Sequence, residues 1–467
     1  MSSELKSANQ LKYLFHPKSI AVIGASRSPG KIGHEIVRNI IGFGFDGKIY
    51  PINPNANEIL GLKAYPSVLN VPDEIDLAVI SVPAKIVPKV LEECGKKGVK
   101  VVVIISSGFS EIGNVEAEHK LVKIARKYGM RILGPNVFGI LYTPSKLNAT
   151  FGPMKVRKGN IAFISQSGAL GIALMGWTFL ERIGLSAVVS VGNKADIEDS
   201  DLLEFFVNDP NSKVILIYME GLKNGRRFLE VAKKVTKVKP VIVLKAGRSK
   251  RGAIAAASHT GSLAGSDEIY SAAFRQAGIL RANSIQQAFD WARTMVFQPP
   301  PINENCIVIT NGGGAGVIAA DACEEYKLCL IDLPKDLADK FREYMPPFGS
   351  VRNPIDLTGE ATEEDYGGAI RVALEDPRIG AILVIYCHTA ITDPGMVARA
   401  IVRSYIESRA PKPIVVSFIG GVECYEGLKL LNDVGVPAYP SPDRAASSLG
   451  AYYRWARYAG IFEKFKA

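Results

Sequence analysis

Histidine is scarce in this chain, with five residues in 467, at positions 16, 34, 119, 259 and 388. The six cysteines, at 94, 306, 323, 329, 387 and 424, form no CxxC pair. Without HExxH, and without Cys and His at ligand spacing, no metal site is expected on the chain. The acidic runs DIEDSD and EEDYGGA lack EF-hand spacing. No GxSxG is present, so a nucleophile-elbow hydrolase is not indicated. A chain of this length needs no disulfide staples, and reduced thiols in a cytoplasm are expected. No apolar run reaches the roughly 18 residues of a membrane span. The start, MSSELKSANQLKYLF, is polar and lacks a signal-peptide core. Glutamine is also rare, at six residues, a compositional hint of a hot habitat.

What is present is ordinary globular composition, 47% hydrophobic and 22% charged. At about 150 residues per domain, roughly three domains are expected. Lys and Arg total 56 against 46 Asp and Glu, a net charge of +10. That excess suits an anionic ligand or an acidic partner. Tyr and Phe do not interleave with Arg and Lys as on a base-stacking surface, so no nucleic acid is expected.

Three stretches share one pattern, an apolar strand, a Gly/Ser-rich turn and an amphipathic helix. They are SIAVIGASRSPGKIGHEIVRNI from Ser19, NIAFISQSGALGIALMGW from Asn160 and NCIVITNGGGAGVIAADACEEY from Asn305. In each, the hydrophobic period changes across the glycines. Further strands follow each turn, among them DLAVISVP, VKVVVIISSG, KVILIYME, PVIVLKAG, IGAILVIYC and KPIVVSFIG, with helical stretches between. Alternating β and α implies parallel, doubly wound sheets. The triple proline of FQPPPINEN (297–305) reads as a stiff linker, and a second boundary falls between Gly139 and Asn160. The expected α/β domains are about 1–145, 146–298 and 302–467.

The first turn, with Gly24, Gly30 and Gly33, is not GxGxxG, and the next strand ends in Asn53 rather than an acid. A nicotinamide dinucleotide is therefore disfavoured. Backbone N–H groups here, with Arg27 and Lys31, still suit a phosphorylated ligand at a helix N-terminus. A purely packing role for the glycines is the competing reading. The second turn offers Ser165, Gln166, Ser167 and Gly168 at a helix start, suited to phosphate or carboxylate, unless Ser167 is a plain N-cap. The third, with Asn311, Gly312, Gly313 and Gly314, lacks a P-loop ending; three successive glycines suggest close backbone approach to an anion.

His259 lies in GAIAAASHTGSLAGSDE, which reads as a small, mobile loop without core periodicity. Imidazole there can act as a nucleophile towards phosphorus, or be an exposed loop residue. The preceding stretch 231–251 holds eight Lys/Arg and no Asp/Glu, either an anion-facing surface or a solvated helix face. Glu220 ends the strand KVILIYME, at the carboxyl edge where such sheets place ligands. A carboxylate there can accept a ring N–H and fix a tautomer, or simply end a turn.

Together, SIAVIGAS, YPINP, SVPA, ISSGFSE, GPNVFGI, NIAFISQSGALG, VSVGNKADI, YMEG, KAGRS and SHTGSLAG resemble the alpha subunit of ADP-forming acetyl-CoA (acyl-CoA) synthetases, relatives of succinyl-CoA synthetase. The likeness covers essentially the whole chain. It departs mildly at Val137, where relatives often carry Cys; no chemistry is assigned there. The resemblance implies three doubly wound domains, one CoA-binding and Rossmann-like and two flavodoxin-like. It implies phosphohistidine at His259 and a supporting acid at Glu220. It implies CoA contacts from Gly24, Ser26, Arg27, Lys31, Gly33, Asn53, Pro54, Val82, Pro83, Ser106, Ser107, Gly108, Phe109 and Asn136. The helix starts at Ser165–Gly168 and Asn311–Gly314 would face the phosphoryl group.

The implied reaction takes acyl-CoA, ADP and phosphate to a free carboxylic acid, CoA and ATP, through an acyl phosphate and phospho-His259. ADP and Mg²⁺ would need an ATP-grasp domain, for which this chain shows no room. A separate beta subunit is expected, in an assembly of two alpha and two beta subunits. Two alternatives share the layout: a CoA- or acyl-CoA-sensing module without turnover, and the regulatory part of a protein acetyltransferase.

Overall fold

The computed structural model describes residues 10–260, 266–408 and 412–464. The chain divides into two compact units, Met1–Arg281 and Ala282–Ala467. Each of the three strand–turn–helix patterns forms: Ser19–Ile23 into Ile32–Gly42, Lys158–Ser165 into Gly168–Leu180, and Asn305–Thr310 into Gly313–Glu325.

In the first unit, one sheet is parallel throughout. Its strands lie in the order Lys48–Ile52, Ser19–Ile23, Leu77–Ile80, Val101–Ile104, Arg131–Leu133. All five residues of Ser19–Ile23 are buried, because alternate side chains enter different cores. Ile20 and Val22 join one cluster, Ala21 and Ile23 the other. This explains why Ile20–Ile23 is uniformly apolar rather than alternating. The order reverses about Ser19–Ile23, which opens a crevice at its carboxyl end beside Leu77–Ile80.

A second sheet of the same unit sets Val241–Lys245, Val214–Met219, Lys158–Ser165 and Leu185–Ser190 side by side and parallel. Gly139–Tyr142 continues it antiparallel, followed by Leu147–Thr150. The VGNKADI segment runs along the end of the first sheet: Asn193, Ala195 and Ile197 donate backbone N–H to the carbonyls of Pro135, Gly134 and Ile132. Arg131 secures this seam with Asp196, at 2.8 Å.

The second unit carries a parallel sheet in the order Cys329–Leu330, Asn305–Thr310, Ala381–Cys387, Ile414–Ile419, Ala438–Tyr439, with Ile355–Asp356 also paired to Asn305–Thr310. Cys306 and Val308 face one core, Ile307 and Ile309 the other. Helix Ile285–Phe297, which precedes the proline run, belongs to this unit. Its Trp291 Nε1 donates to Ser447 Oγ at 3.0 Å, and its buried Asp290 takes two hydrogen bonds from Arg444. Among the described residues no helix is long and apolar enough to cross a membrane.

One expectation is corrected. The segment read as a small mobile loop is helical over Lys250–Thr260. Its alanines, at 253 and 255–257, are the strongest helix formers, and small size does not oppose a helix as glycine does. His259 lies in the last turn; its side chain and residues 261–265 fall outside the described residues. The basic stretch 231–251 divides. Lys233 and Lys234 sit on the exposed face of helix Gly225–Val235, whereas Lys245 is buried, 2% exposed.

Candidate functional site

The carboxyl edge of the first sheet assembles residues far apart in sequence. A Cβ on Gly24 would lie 2.6 Å from the Ser81 carbonyl oxygen, and one on Gly33 would lie 2.0 Å from the Gly24 carbonyl oxygen. Only glycine fits at either place, and the loop, the helix and the neighbouring strand end are thereby pressed together. Asn53 Nδ2 donates to the Ala25 carbonyl at 2.8 Å, and Ser26 Oγ accepts from Ser28 N at 3.1 Å, so both brace the loop. Arg27, Lys31 and Pro83 are exposed beside it, and Val82 is half-buried. Ser106 Oγ donates to the Val82 carbonyl, and Asn136 N to the Ser106 carbonyl at 3.0 Å. The loops from 24, 53, 82, 106 and 136 therefore form one rim.

The loop Ser106–Phe109 is shaped by Glu111, whose carboxylate accepts from the N–H of Gly108 and, at 3.2 Å, of Phe109. Burial alone would raise the Glu111 pKa; hydrogen bonds from Gly108 and Asn193 outweigh it and hold the carboxyl below its ordinary value.

At the second sheet, the helix start and the acid are joined. Gln166 Oε1 accepts from the backbone N–H of Glu220 at 2.9 Å and of Gly221 at 3.1 Å. Ser165 Oγ donates to the Ser167 carbonyl, and Ser167 Oγ caps Leu170 N at 3.4 Å. These side chains shape the turn, so an anion would meet the first-turn N–H groups of helix Gly168–Leu180. Glu220 is 6% exposed at the end of its strand. Burial, together with the charge and hydrogen bond of Glu220, pushes the Tyr218 hydroxyl up to about 12.

Two buried lysines accompany Glu220. Lys194 Nζ lies 2.5 Å from Asp199 Oδ2 and donates to the Gly221 carbonyl at 3.0 Å. Lys245 donates to the Ala246 carbonyl and lies 4.6 Å over the Tyr270 ring. Burial pulls its pKa down, with Asp267 and Glu220 opposing. The helix Lys250–Thr260 follows Lys245 closely and lies beside the turn Ser110–Ile112. The backbone of His259 is thus carried by an element that follows the Lys245 strand and lies beside the turn Ser110–Ile112.

In the second unit, Asn311 is 3% exposed and exchanges two hydrogen bonds with the backbone of Cys387, at 2.7 and 2.9 Å. It ties the Gly-rich turn to the next strand end. A Cβ on Gly312 would meet Cys387 Sγ at 2.8 Å and one on Gly313 would meet Asp356 Oδ2 at 3.1 Å, while nothing lies within 4 Å of one on Gly314. Thr358, at the same sheet edge, has φ of 75° and a buried hydroxyl without a partner among the described residues. For a β-branched residue that backbone is an outlier.

Sequence reasoning missed Asn193, Lys194, Glu111 and Thr358. The acidic run DIEDSD was a usable signal: Asp196, Asp199 and Asp201 are partnered by Arg131, Lys194 and Arg227.

Family models match all three parts of the chain: a CoA binding domain over residues 18–143, a succinyl-CoA ligase like flavodoxin domain over 158–295, and a ligase-CoA domain over 306–463. Fold and site edges thus define a succinyl-CoA ligase-like acid–thiol ligase. The chain is 61% identical to the Pyrococcus furiosus acetate–CoA ligase (ADP-forming) I subunit alpha, covering 96% of this chain and 98% of that one. It is 47% identical to a Methanocaldococcus jannaschii acetate–CoA ligase (ADP-forming), covering 96% of this chain but only 63% of the longer relative. An acetyl-coenzyme A synthetase of Korarchaeum cryptofilum, solved with phosphate and ADP, superposes with a TM-score of 0.95 at 52% identity, covering 98% of this chain and 99% of that one. The chain belongs to the family of alpha subunits of ADP-forming acetate–CoA ligases.

Proposed function

We propose that this chain is the alpha subunit of an NDP-forming acyl-CoA synthetase, acting in the cytoplasm on small acyl-CoAs, and that it pairs with a separate ATP-grasp beta subunit as two alpha and two beta chains. The name of the Pyrococcus relative supports acetyl-CoA as the first substrate to try and a separate partner subunit. The six free thiols are compatible with a reducing compartment.

In the first step, a phosphate oxygen attacks the thioester carbonyl at the rim formed by the 24–33, 82–83 and 106–109 segments. The C–S bond breaks, the CoA thiolate leaves and takes a proton, and an acyl phosphate remains. In the second, a ring nitrogen of His259 attacks phosphorus, the P–O bond to the acyl group breaks, and the carboxylate departs. Glu220 accepts the other ring N–H, which fixes the tautomer and stabilises the charged phosphoimidazole. The helix start after Ser167 offsets phosphoryl charge through backbone N–H groups. In the third, the terminal oxygen of ADP attacks phospho-His259, the N–P bond breaks and ATP forms; ADP and its Mg²⁺ are bound by the partner subunit.

The observation that carries this reading is the Gln166 bridge, which fastens one helix start to the turn bearing Glu220. The test is ATP formation from acetyl-CoA, ADP and phosphate by the chain mixed with an ATP-grasp subunit. Activity of the mixture, absent from either chain alone, is expected. CoA binding without turnover of any acyl-CoA in a panel would establish a sensor instead.

A further inference from the structure

Asn193 and Lys194 are consecutive, yet they point into different machinery. Asn193 Nδ2 donates to Glu111 Oε2 at 2.6 Å and to Glu118 Oε2 at 2.9 Å, and Oδ1 accepts from Asn136 Nδ2 at 3.3 Å. Through Glu111 it reaches the N–H groups of Gly108 and Phe109. Lys194, 3% exposed, places its ammonium between Asp199 and the Gly221 carbonyl. The Glu220–Gly221 turn is therefore held from both sides, its N–H groups by Gln166 and its carbonyl by Lys194. Lys194 adopts φ of 54°, a left-handed conformation disfavoured for a side-chain-bearing residue, which lets the two side chains diverge. The second carboxylate oxygen of Asp199 has no hydrogen-bond partner among the described residues, so Lys194 supplies the compensation for that buried charge.

We propose that Asn193 and Lys194 form a positioning pair, Asn193 setting the CoA-site loop and Lys194 setting the Glu220 turn, so that the thioester and phosphohistidine halves of the reaction are kept in register by one dipeptide. The inference rests on the phosphohistidine reading, and its test separates the two.

Each half-reaction is measured alone, with the chain in complex with its ATP-grasp subunit. Labelling of His259 from γ-labelled ATP and Mg²⁺ needs no CoA. Binding of acetyl-CoA is read by KM in the complete reaction. Asn193→Ala is expected to raise the KM for acetyl-CoA while leaving the labelling rate within a factor of about 2, since its side chain bonds Glu111, Glu118 and Asn136 and neither residue of the Glu220–Gly221 turn. A Lys194→Met, Asp199→Asn pair removes both buried charges. It is expected to slow labelling on the order of 10- to 100-fold, as a small misplacement of a catalytic group does, with KM unchanged. A Lys194→Gln, Asp199→Asn pair, able to restore a neutral hydrogen bond to Gly221, is expected to recover part of the rate. It also serves if the first pair does not fold. No labelling of the wild-type complex would defeat the phosphohistidine reading. A labelled wild type, with both substitutions impairing both halves equally or neither impairing either, would overturn the positioning proposal alone.

Discussion

The side-chain oxygen of Gln166 accepts hydrogen bonds from two successive backbone N–H groups, those of Glu220 and Gly221, at 2.9 and 3.1 Å. One amide thus fixes the acid relative to the helix that begins at Gly168. Gln166→Leu keeps the volume and removes the acceptor. Two part-buried donors then lose their partner, at about 1–3 kcal/mol each. Chemical denaturation is expected to show that loss, and phosphorylation of His259 is expected to fall further than stability alone explains. A variant with unchanged labelling would detach Gln166 from the site.

The glycines of the turns serve different ends, and alanine substitution separates them. Gly33→Ala drives a methyl to 2.0 Å from the Gly24 carbonyl oxygen, so the backbone must shift. A loss of about 1–3 kcal/mol in stability is expected, with weaker CoA binding. A methyl on Gly168 or Gly314 has nothing within 4 Å. Those variants are expected to melt at or above the wild-type temperature, since alanine favours helix. On the proposed mechanism the Gly168 variant is also expected to lose turnover, because the added methyl would lie where a phosphoryl group approaches the helix start. Full turnover by the Gly168 variant would show that nothing approaches that helix start.

A pH dependence follows from Lys412, which is 2% exposed and donates to the carbonyls of Ala373 and Asp376. Burial brings its pKa down to about 8, partly opposed by Asp376. Below that value the buried ammonium is charged in the folded state; between it and the ordinary lysine value, the unfolded chain binds more protons. Stability of the second unit is therefore expected to rise with pH across that interval. Hydrogen exchange in helix Glu363–Glu375, compared with Lys412→Met, checks this: the substitution is expected to flatten the rise.

Asp290 and Arg444 provide a structural control. Their two hydrogen bonds, at 2.8 and 2.9 Å, hold helix Ile285–Phe297 onto Pro442–Ala459, and Asp290 is 2% exposed. Asp290→Ala breaks a part-buried, charge-assisted pair and is expected to cost about 1.5–3 kcal/mol in thermal or chemical unfolding. CoA binding, which belongs to the first unit, is expected to survive wherever the chain stays folded.

The architecture was legible because buried parallel strands are uniformly apolar and glycines mark where each turns into its helix, as at Gly24, Gly168 and Gly312. The place of Glu220, directly after the strand Val214–Met219, was legible for the same reason. The helix at Lys250–Thr260 was not, since alanine serves helix and loop alike when no bulky residue marks a face. Asn193 was invisible because its partners, Glu111 and Glu118, lie 82 and 75 residues away. Thr358 gave no signal, because a threonine forced to positive φ looks like any other threonine.

The most direct measurement is the position of a phosphoryl label. The chain with its ATP-grasp partner is given acetyl-CoA and labelled phosphate, and the product is digested and mapped by mass spectrometry. An acid-labile, alkali-stable label on His259, absent from His259→Asn and strongly reduced in Glu220→Gln, is the expected result. Acetyl-CoA bound at full occupancy with no label on His259 under any condition would contradict the account.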